Sequence, residues 1–148
     1  MEMIIFMGAQ ATGKSSFYKS RFFRTHIRVN LDMLKTRKRE RLLLEACLDA
    51  RQPLVVDNTN PSTSDRQRYI RPALMANFSI VGFYFQSIAK ECIERNRLRE
   101  NSQRVPDVAI RATINCLVRP CFEEGFGELS FVSLSSSGFR VEEWTDAI

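Results

Sequence analysis

Residues 8–15 read Gly-Ala-Gln-Ala-Thr-Gly-Lys-Ser and meet the pattern G-x-x-x-x-G-K-[ST] at every fixed position. The pattern has a mechanical reading. Glycines let the backbone turn so that successive N–H groups point at one anion, and the helix that follows adds its positive end. On this reading Gly8, Ala11, Thr12, Gly13, Lys14, Ser15 and Ser16 cradle the phosphates of ATP. Lys14 reaches the β- and γ-phosphates, and the Ser15 hydroxyl holds Mg²⁺.

A phosphate loop serves kinases, switch GTPases and motor ATPases alike. The guanine-specifying N-K-x-D pattern is absent, as is a long apolar run ending Asp-Glu, so at 148 residues a nucleotide-dependent kinase is the economical class. A kinase needs a carboxylate to take the acceptor hydroxyl's proton and aim its oxygen at the γ-phosphorus. Asp32, in Val29-Asn30-Leu31-Asp32, follows a predicted strand and can do this. It can equally cap the helix that begins near Leu34. Asp57 ends the apolar run Leu54-Val55-Val56, where an acid would hold Mg²⁺ through water or a neighbouring side chain. Asn58, Thr59 and Asn60 then offer short polar groups at the mouth of the site. The alternative there is an Asx-type turn leading into Pro61. Arg95 and Arg99 stand four apart before a polar loop containing Arg104. Like charges at that spacing repel unless an anion lies between them. A lid closing onto the β/γ-phosphates supplies one, whereas an exposed basic helix offset by Glu91, Glu94 and Glu100 needs none.

The elements that position these residues alternate. Strands are expected at 3–7, 27–30, 54–57, 78–85, 129–134 and 139–144, the last two joined by Ser135-Ser136-Ser137-Gly138. Helices are expected at 14–23, 34–51, 65–77, 88–100 and 107–118. In the second helix Leu43, Cys47 and Ala50 form the predicted apolar stripe, with Ala46 beside it. Such alternation implies an α/β three-layer P-loop NTPase of the kinase type with a mostly parallel central sheet. Ligands bind such sheets at the carboxyl ends of the strands, which puts residues 8–15, Asp32 and Asp57 on one rim.

Composition narrows the class further. One domain over 1–148 is expected, with no apolar run near the ~20 residues of a bilayer span. With no basic and long apolar leader, the expected location is cytoplasmic, away from membranes. Cys47, Cys92, Cys116 and Cys121 lack zinc or disulfide-scaffold spacing, and Cys47 and Cys92 read as core. His26 has no catalytic companions. Nine of the Lys/Arg residues fall between Lys19 and Arg41, against two acids, so this segment could meet a polyanion or form a solvated helix face.

At these residues the sequence resembles the polynucleotide kinase family, specifically its 5′-hydroxyl kinase domain. GAQATGKSS is similar to that family's phosphate loop, VNLDMLK to its V-N-R-D segment, VVDNTNPSTSDRQRYI to its D-N-T-N-P block and ERNRLREN to its lid. RVP and EEGFGEL resemble short patterns further on. The resemblance implies Asp32 as general base, Arg99 as the phosphate-stabilising lid residue with Arg95 as a second candidate, and Asp57 near metal or substrate. It also implies that Lys35 lies where some members hold the acceptor's phosphate with arginine; lysine keeps the charge and loses the bidentate fork. Leu31 also departs, since the family often has arginine there. The D-x-D-G motif of the attached phosphatase domain is absent. The expectation is therefore an ATP- and Mg²⁺-dependent kinase whose acceptor is the 5′-hydroxyl of a nucleic acid, DNA or RNA. The alternatives are a small-molecule acceptor (metabolite, sugar or nucleotide) and an inactive ATP-binding regulatory module.

Overall fold

Alternation along the first strand, β1 (Glu2–Met7), explains how the layers assemble. Its side chains point to opposite faces in turn. Met3, Ile5 and Met7 join one apolar cluster while Ile4 and Phe6 join another, all buried. β1 therefore lies at the centre of the sheet with both faces covered.

The computed structural model describes residues 1–148. After β1 come α1 (Lys14–Arg21), β2 (Ile27–Val29), α2 (Leu31–Leu34), α3 (Arg37–Asp49), β3 (Leu54–Asp57) and α4 (Thr63–Met75). β4 (Ser79–Phe85), α5 (Ala89–Arg97), α6 (Asp107–Cys116), a 3₁₀ turn (Phe122–Glu124), β5 (Glu128–Ser135) and β6 (Gly138–Glu143) complete the chain. The strand order is β2-β3-β1-β4-β5-β6. The first five strands are mutually parallel, and β6 returns antiparallel to β5. Helices α3 and α4 cover the face of Ile5 and Val56, while α1 covers the face of Phe6 and Phe83. This is the expected three-layer α/β architecture. No helix is long and apolar enough to cross a membrane.

Three elements differ from the sequence expectation, each for a local reason. The helix expected over 34–51 begins only at Arg37, after the separate short α2 and a break at Lys35, whose φ of 75° no right-handed helix tolerates. Thr36 restarts the chain as N-cap, accepting from Arg39 N, and Asn30 caps α2 by accepting from Met33 N. Neither cap is Asp32. The buried stripe of α3 is Glu40, Leu44, Cys47 and Leu48, whereas Ala46 and Ala50 are exposed and Leu43 is half-buried. A charged residue sets that phase: buried Glu40 accepts from Arg37 (2.8 Å), Asn58 (3.0 Å) and the Tyr69 hydroxyl (3.0 Å). α5 stops at Arg97, so Arg99 lies beyond the helix and does not share a helical face with Arg95. Buried Asn96 fixes that ending, donating to Val105 O (2.6 Å) and accepting from Val105 N (3.1 Å).

A second buried polar anchor joins α4 to the 3₁₀ turn. Arg66, with no exposed surface, donates from Nε to Glu124 (2.8 Å) and from another nitrogen to Val118 O (2.9 Å).

Candidate active site

Backbone geometry shapes the phosphate loop. Gly8 N donates to Thr59 O (2.9 Å) and Ala9 N to the Ser87 hydroxyl (2.9 Å), so the loop hangs from β3's exit and β4's end. Gly13 adopts φ 95°, and a Cβ there would lie 2.8 Å from the Phe139 ring. Glycine is required on both counts. Ala11 also has positive φ, at 63°. The Thr12 hydroxyl donates to Ala9 O, inside the loop.

Lys14 is buried within this loop, its ammonium donating to Gly8 O (3.0 Å) and Ala9 O. Burial lowers its pKa from 10.5 to about 8; the Asp57 charge opposes that shift and the Arg99 charge adds to it. Phosphate oxygens favour the ammonium form, so the pKa rises again once a nucleotide binds. Binding above about pH 8 should therefore take up a proton, and affinity should fall as pH rises through that value. Calorimetry of ATP binding in buffers of differing ionisation heat checks this: uptake at about pH 8.5 and almost none at about pH 6.5.

Residues 57–60 form the frame of the site. The Asp57 carboxylate accepts from the Ser15 hydroxyl (3.3 Å) and from Arg28 Nε (2.8 Å), and a further Arg28 nitrogen donates to the Ser15 hydroxyl (2.9 Å). Asn58 accepts from Leu31 N (2.9 Å) and donates to Glu40, tying the turn that carries Asp32 to the buried carboxylate. The Thr59 carbonyl holds Gly8. Asn60, at φ 44°, donates to Phe6 O (2.8 Å). Asn30 donates to Asp57 O (2.6 Å), fixing β2's exit to β3's. The polar block is thus mainly a scaffold, and only Asp57 offers it a charged group.

Lys14, Ser15, Asp32, Asp57 and Arg99 line one open cleft of about 470 Å³. Asp32 is exposed in it, and its charge acts on Lys14. Arg99 reaches the cleft from the loop after α5, which is braced by Arg104 donating to Arg99 O (2.7 Å). Arg95 instead donates to Ala11 O (3.3 Å) and Leu134 O (3.4 Å), supporting the loop from outside the lining. Asn58 and Thr59 lie in the lining; Lys35 and Ser16 are exposed and lie outside it. Arg37 and Arg68 stand on that side of the cleft.

Ser15 and Asp57 present hard oxygen donors, which fits Mg²⁺. No three His, Cys, Asp or Glu side chains converge as metal ligands. Two protein donors suit an ion that draws its remaining ligands from phosphates and water, where it would offset phosphate charge. The Arg28 guanidinium bonds to both of those groups, which are themselves 3.3 Å apart.

Sequence reading missed Arg28, Asn30, Glu40 and Asn96. Arg28 had a weak signal: it alternates with Ile27 and Val29 in a predicted strand and so points to the face opposite theirs. Glu40 and Asn96 had none, because their partners Tyr69 and Val105 are distant or irregular in sequence.

Residues 35–119, more than half of the chain, match the family described as AAA domain. The chain belongs to that family. In Schizosaccharomyces pombe, a bifunctional polynucleotide phosphatase/kinase is 28% identical over 132 residues, 84% of this chain and 32% of that protein. A relative named in the same terms in Acanthamoeba polyphaga mimivirus is 29% identical over 139 residues, 89% of this chain and 33% of that protein. The chain thus spans about a third of the length of these curated relatives. The structure of Chaetomium thermophilum Kti12 in complex with ADP-AlF3 superposes with TM-score 0.66 at 12% identity, covering 91% of this chain and 92% of that one. A gluconokinase from Sinorhizobium meliloti 1021 gives 0.60 at 18% identity, with 88% and 82% covered. The fold of this AAA-domain member is that of the P-loop kinases.

Proposed function

We propose that this chain is an ATP-dependent phosphotransferase that moves the γ-phosphoryl group onto the 5′-hydroxyl of a polynucleotide. The observation that carries the reading is the convergence of Lys14, Asp32 and Arg99 on one cleft, with Asn30 and Thr36 making the helix caps that Asp32 would otherwise have made. In this reading the loop amides and Lys14 hold the phosphates, and Ser15 and Asp57 hold Mg²⁺. Asp32 accepts the proton of the acceptor hydroxyl while Arg99 offsets charge on the transferred group. Asn58 positions Asp32 through Leu31 N and, with Thr59, offers polar groups to the acceptor from the cleft lining.

The polynucleotide relatives support the acceptor class, and so does the surface beside the cleft. Arg37, Arg68 and Tyr69 are shared between the cleft and a groove along α3 and α4 that also carries Lys38 and Arg41. The basic segment 19–41 does not form one face. Lys19 and Arg21 sit at the end of α1, Arg28 is in the cleft region, and only the α3 residues extend the acceptor side. A strand leaving the cleft along this groove would meet Lys38 and Arg41. Lys38→Ala with Arg41→Ala is therefore expected to lower kcat/KM for a long oligonucleotide. It should also flatten the log–log salt slope by about 0.7 for each phosphate no longer neutralised. A nucleoside 3′-monophosphate should be unaffected.

Transfer from γ-labelled ATP to a panel of 5′-hydroxyl DNA, 5′-hydroxyl RNA and small metabolites tests the assignment. Label is expected on an oligonucleotide 5′ end. Label on a metabolite alone would replace the acceptor class, and ATP binding without transfer would point to a regulatory module.

A further inference from the structure

Arg28 engages both groups that would ligate a cation at Ser15 and Asp57. Its Nε donates to Asp57 Oδ2 at 2.8 Å, and its terminal nitrogen donates to Ser15 Oγ at 2.9 Å. Ser15 in turn donates to the same Asp57 oxygen (3.3 Å), so the hydroxyl is engaged as donor and acceptor together. A metal ion drawn to the same two groups would stand against the positive guanidinium, so each cation opposes the other there. Asp57 is almost fully buried, at 2% exposure, and a buried carboxylate demands a counter-charge. Arg28 supplies it.

The strand geometry explains both the reach and the exit. Arg28 pairs with Val55 in the β2–β3 register, and its alternation puts it on the α1 face, near Tyr18 and Ser15. Neighbouring Val29 faces the other core. β2 is an edge strand, paired only with β3, and the Arg28 side chain is 26% exposed. In the paired position its Cζ lies 6.0 Å from the Tyr18 ring.

We propose that Arg28 is a built-in competitor of the divalent cation, closing the metal position until nucleotide binds, so that metal enters only together with nucleotide. The inference rests on the reading of Ser15 and Asp57 as the metal donors. Free divalent ion arriving alone would have to expel a paired guanidinium in exchange for two protein oxygens. Metal arriving on a nucleotide brings phosphate ligands of its own, and their negative charge also accommodates the displaced arginine nearby. Arg28 is thus a specificity-determining residue for the order in which metal and nucleotide arrive.

Mn²⁺ binding to nucleotide-free protein, followed by the paramagnetic resonance of free Mn²⁺, tests this. Arg28→Ala is expected to gain one site per chain, at least about tenfold tighter than any site in the wild type, which corresponds to about 1.4 kcal/mol of removed competition. That site should vanish again in Arg28→Ala with Asp57→Asn. Arg28→Gln, which keeps polar bulk beside Asp57, provides the same comparison should the alanine variant fold poorly. Melting temperature without nucleotide gives a second readout: Mn²⁺ should raise it in the variants and leave the wild type unchanged. Equal Mn²⁺ binding by wild type and variants, or a variant that is destabilised yet gains no site, would overturn the proposal and leave Arg28 a structural ion pair. Transfer of labelled phosphate by the wild type, measured separately, reports on the kinase reading itself.

Discussion

Asp32→Asn is expected to lower the rate of phosphate transfer by about 10²- to 10⁴-fold, the usual contribution of a positioned general base. The amide keeps the shape of the carboxylate and removes its ability to accept the hydroxyl proton. Little else should change. Asp32 is exposed, and the turn that carries it is held by Asn30 through Met33 N and by Asn58 through Leu31 N. An exposed substitution away from such bonds shifts stability by about 0.5 kcal/mol or less. The loop that seats the nucleotide is built from residues 8–15 and anchored by Thr59 and Ser87, so ATP affinity should be retained. Single-turnover kinetics beside equilibrium ATP binding separates these effects. Transfer within a few-fold of wild type would remove Asp32 from the chemistry.

The largest stability effect is expected at Arg66 and Glu124. Both are buried, joined at 2.8 and 3.3 Å, and each also serves the backbone: Arg66 donates to Val118 O, and Glu124 accepts from Cys121 N (3.0 Å). Removing one partner strands a charge in the interior and should cost about 3–5 kcal/mol. Against a typical total of about 5–15 kcal/mol, Glu124→Gln should move the urea midpoint far down with little change in slope. Arg66→Met with Glu124→Leu removes both charges and should recover part of that loss. Recovery stays partial because Val118 O and Cys121 N lose their partners. Arg66 also donates to Asn60 O (3.3 Å), beside the loop's anchor, so ATP affinity should weaken alongside stability.

Much of this fold was legible because its signals are local and periodic. The phosphate loop, the alternation that buries β1 on both faces and the acid ending β3 are each written in adjacent residues. The residues and the family resemblance both pointed to Asp32 and Arg99, and in the structure both line one cleft with Lys14. Lys35 was matched by position alone, and its left-handed backbone carries it to an exposed turn outside the cleft lining. The break at that turn was invisible because a mixed charged and apolar run reads as continuous helix. Glu40 hid for a related reason. Periodicity assigns a glutamate to solvent, and only its distant partners Asn58 and Tyr69 make it a core residue. Arg28 looked like one more charge in a basic segment until β2 and β3 were paired in register.

The most direct measurement is a crystal structure with ADP, a metal-fluoride mimic of the transferring phosphoryl group and a short 5′-hydroxyl oligonucleotide. The expected result places the Asp32 carboxylate within about 2.6–3.2 Å of the acceptor oxygen, with Lys14 and Arg99 on the mimic. A nucleotide seated in the loop with Asp32 turned away from the acceptor would contradict it.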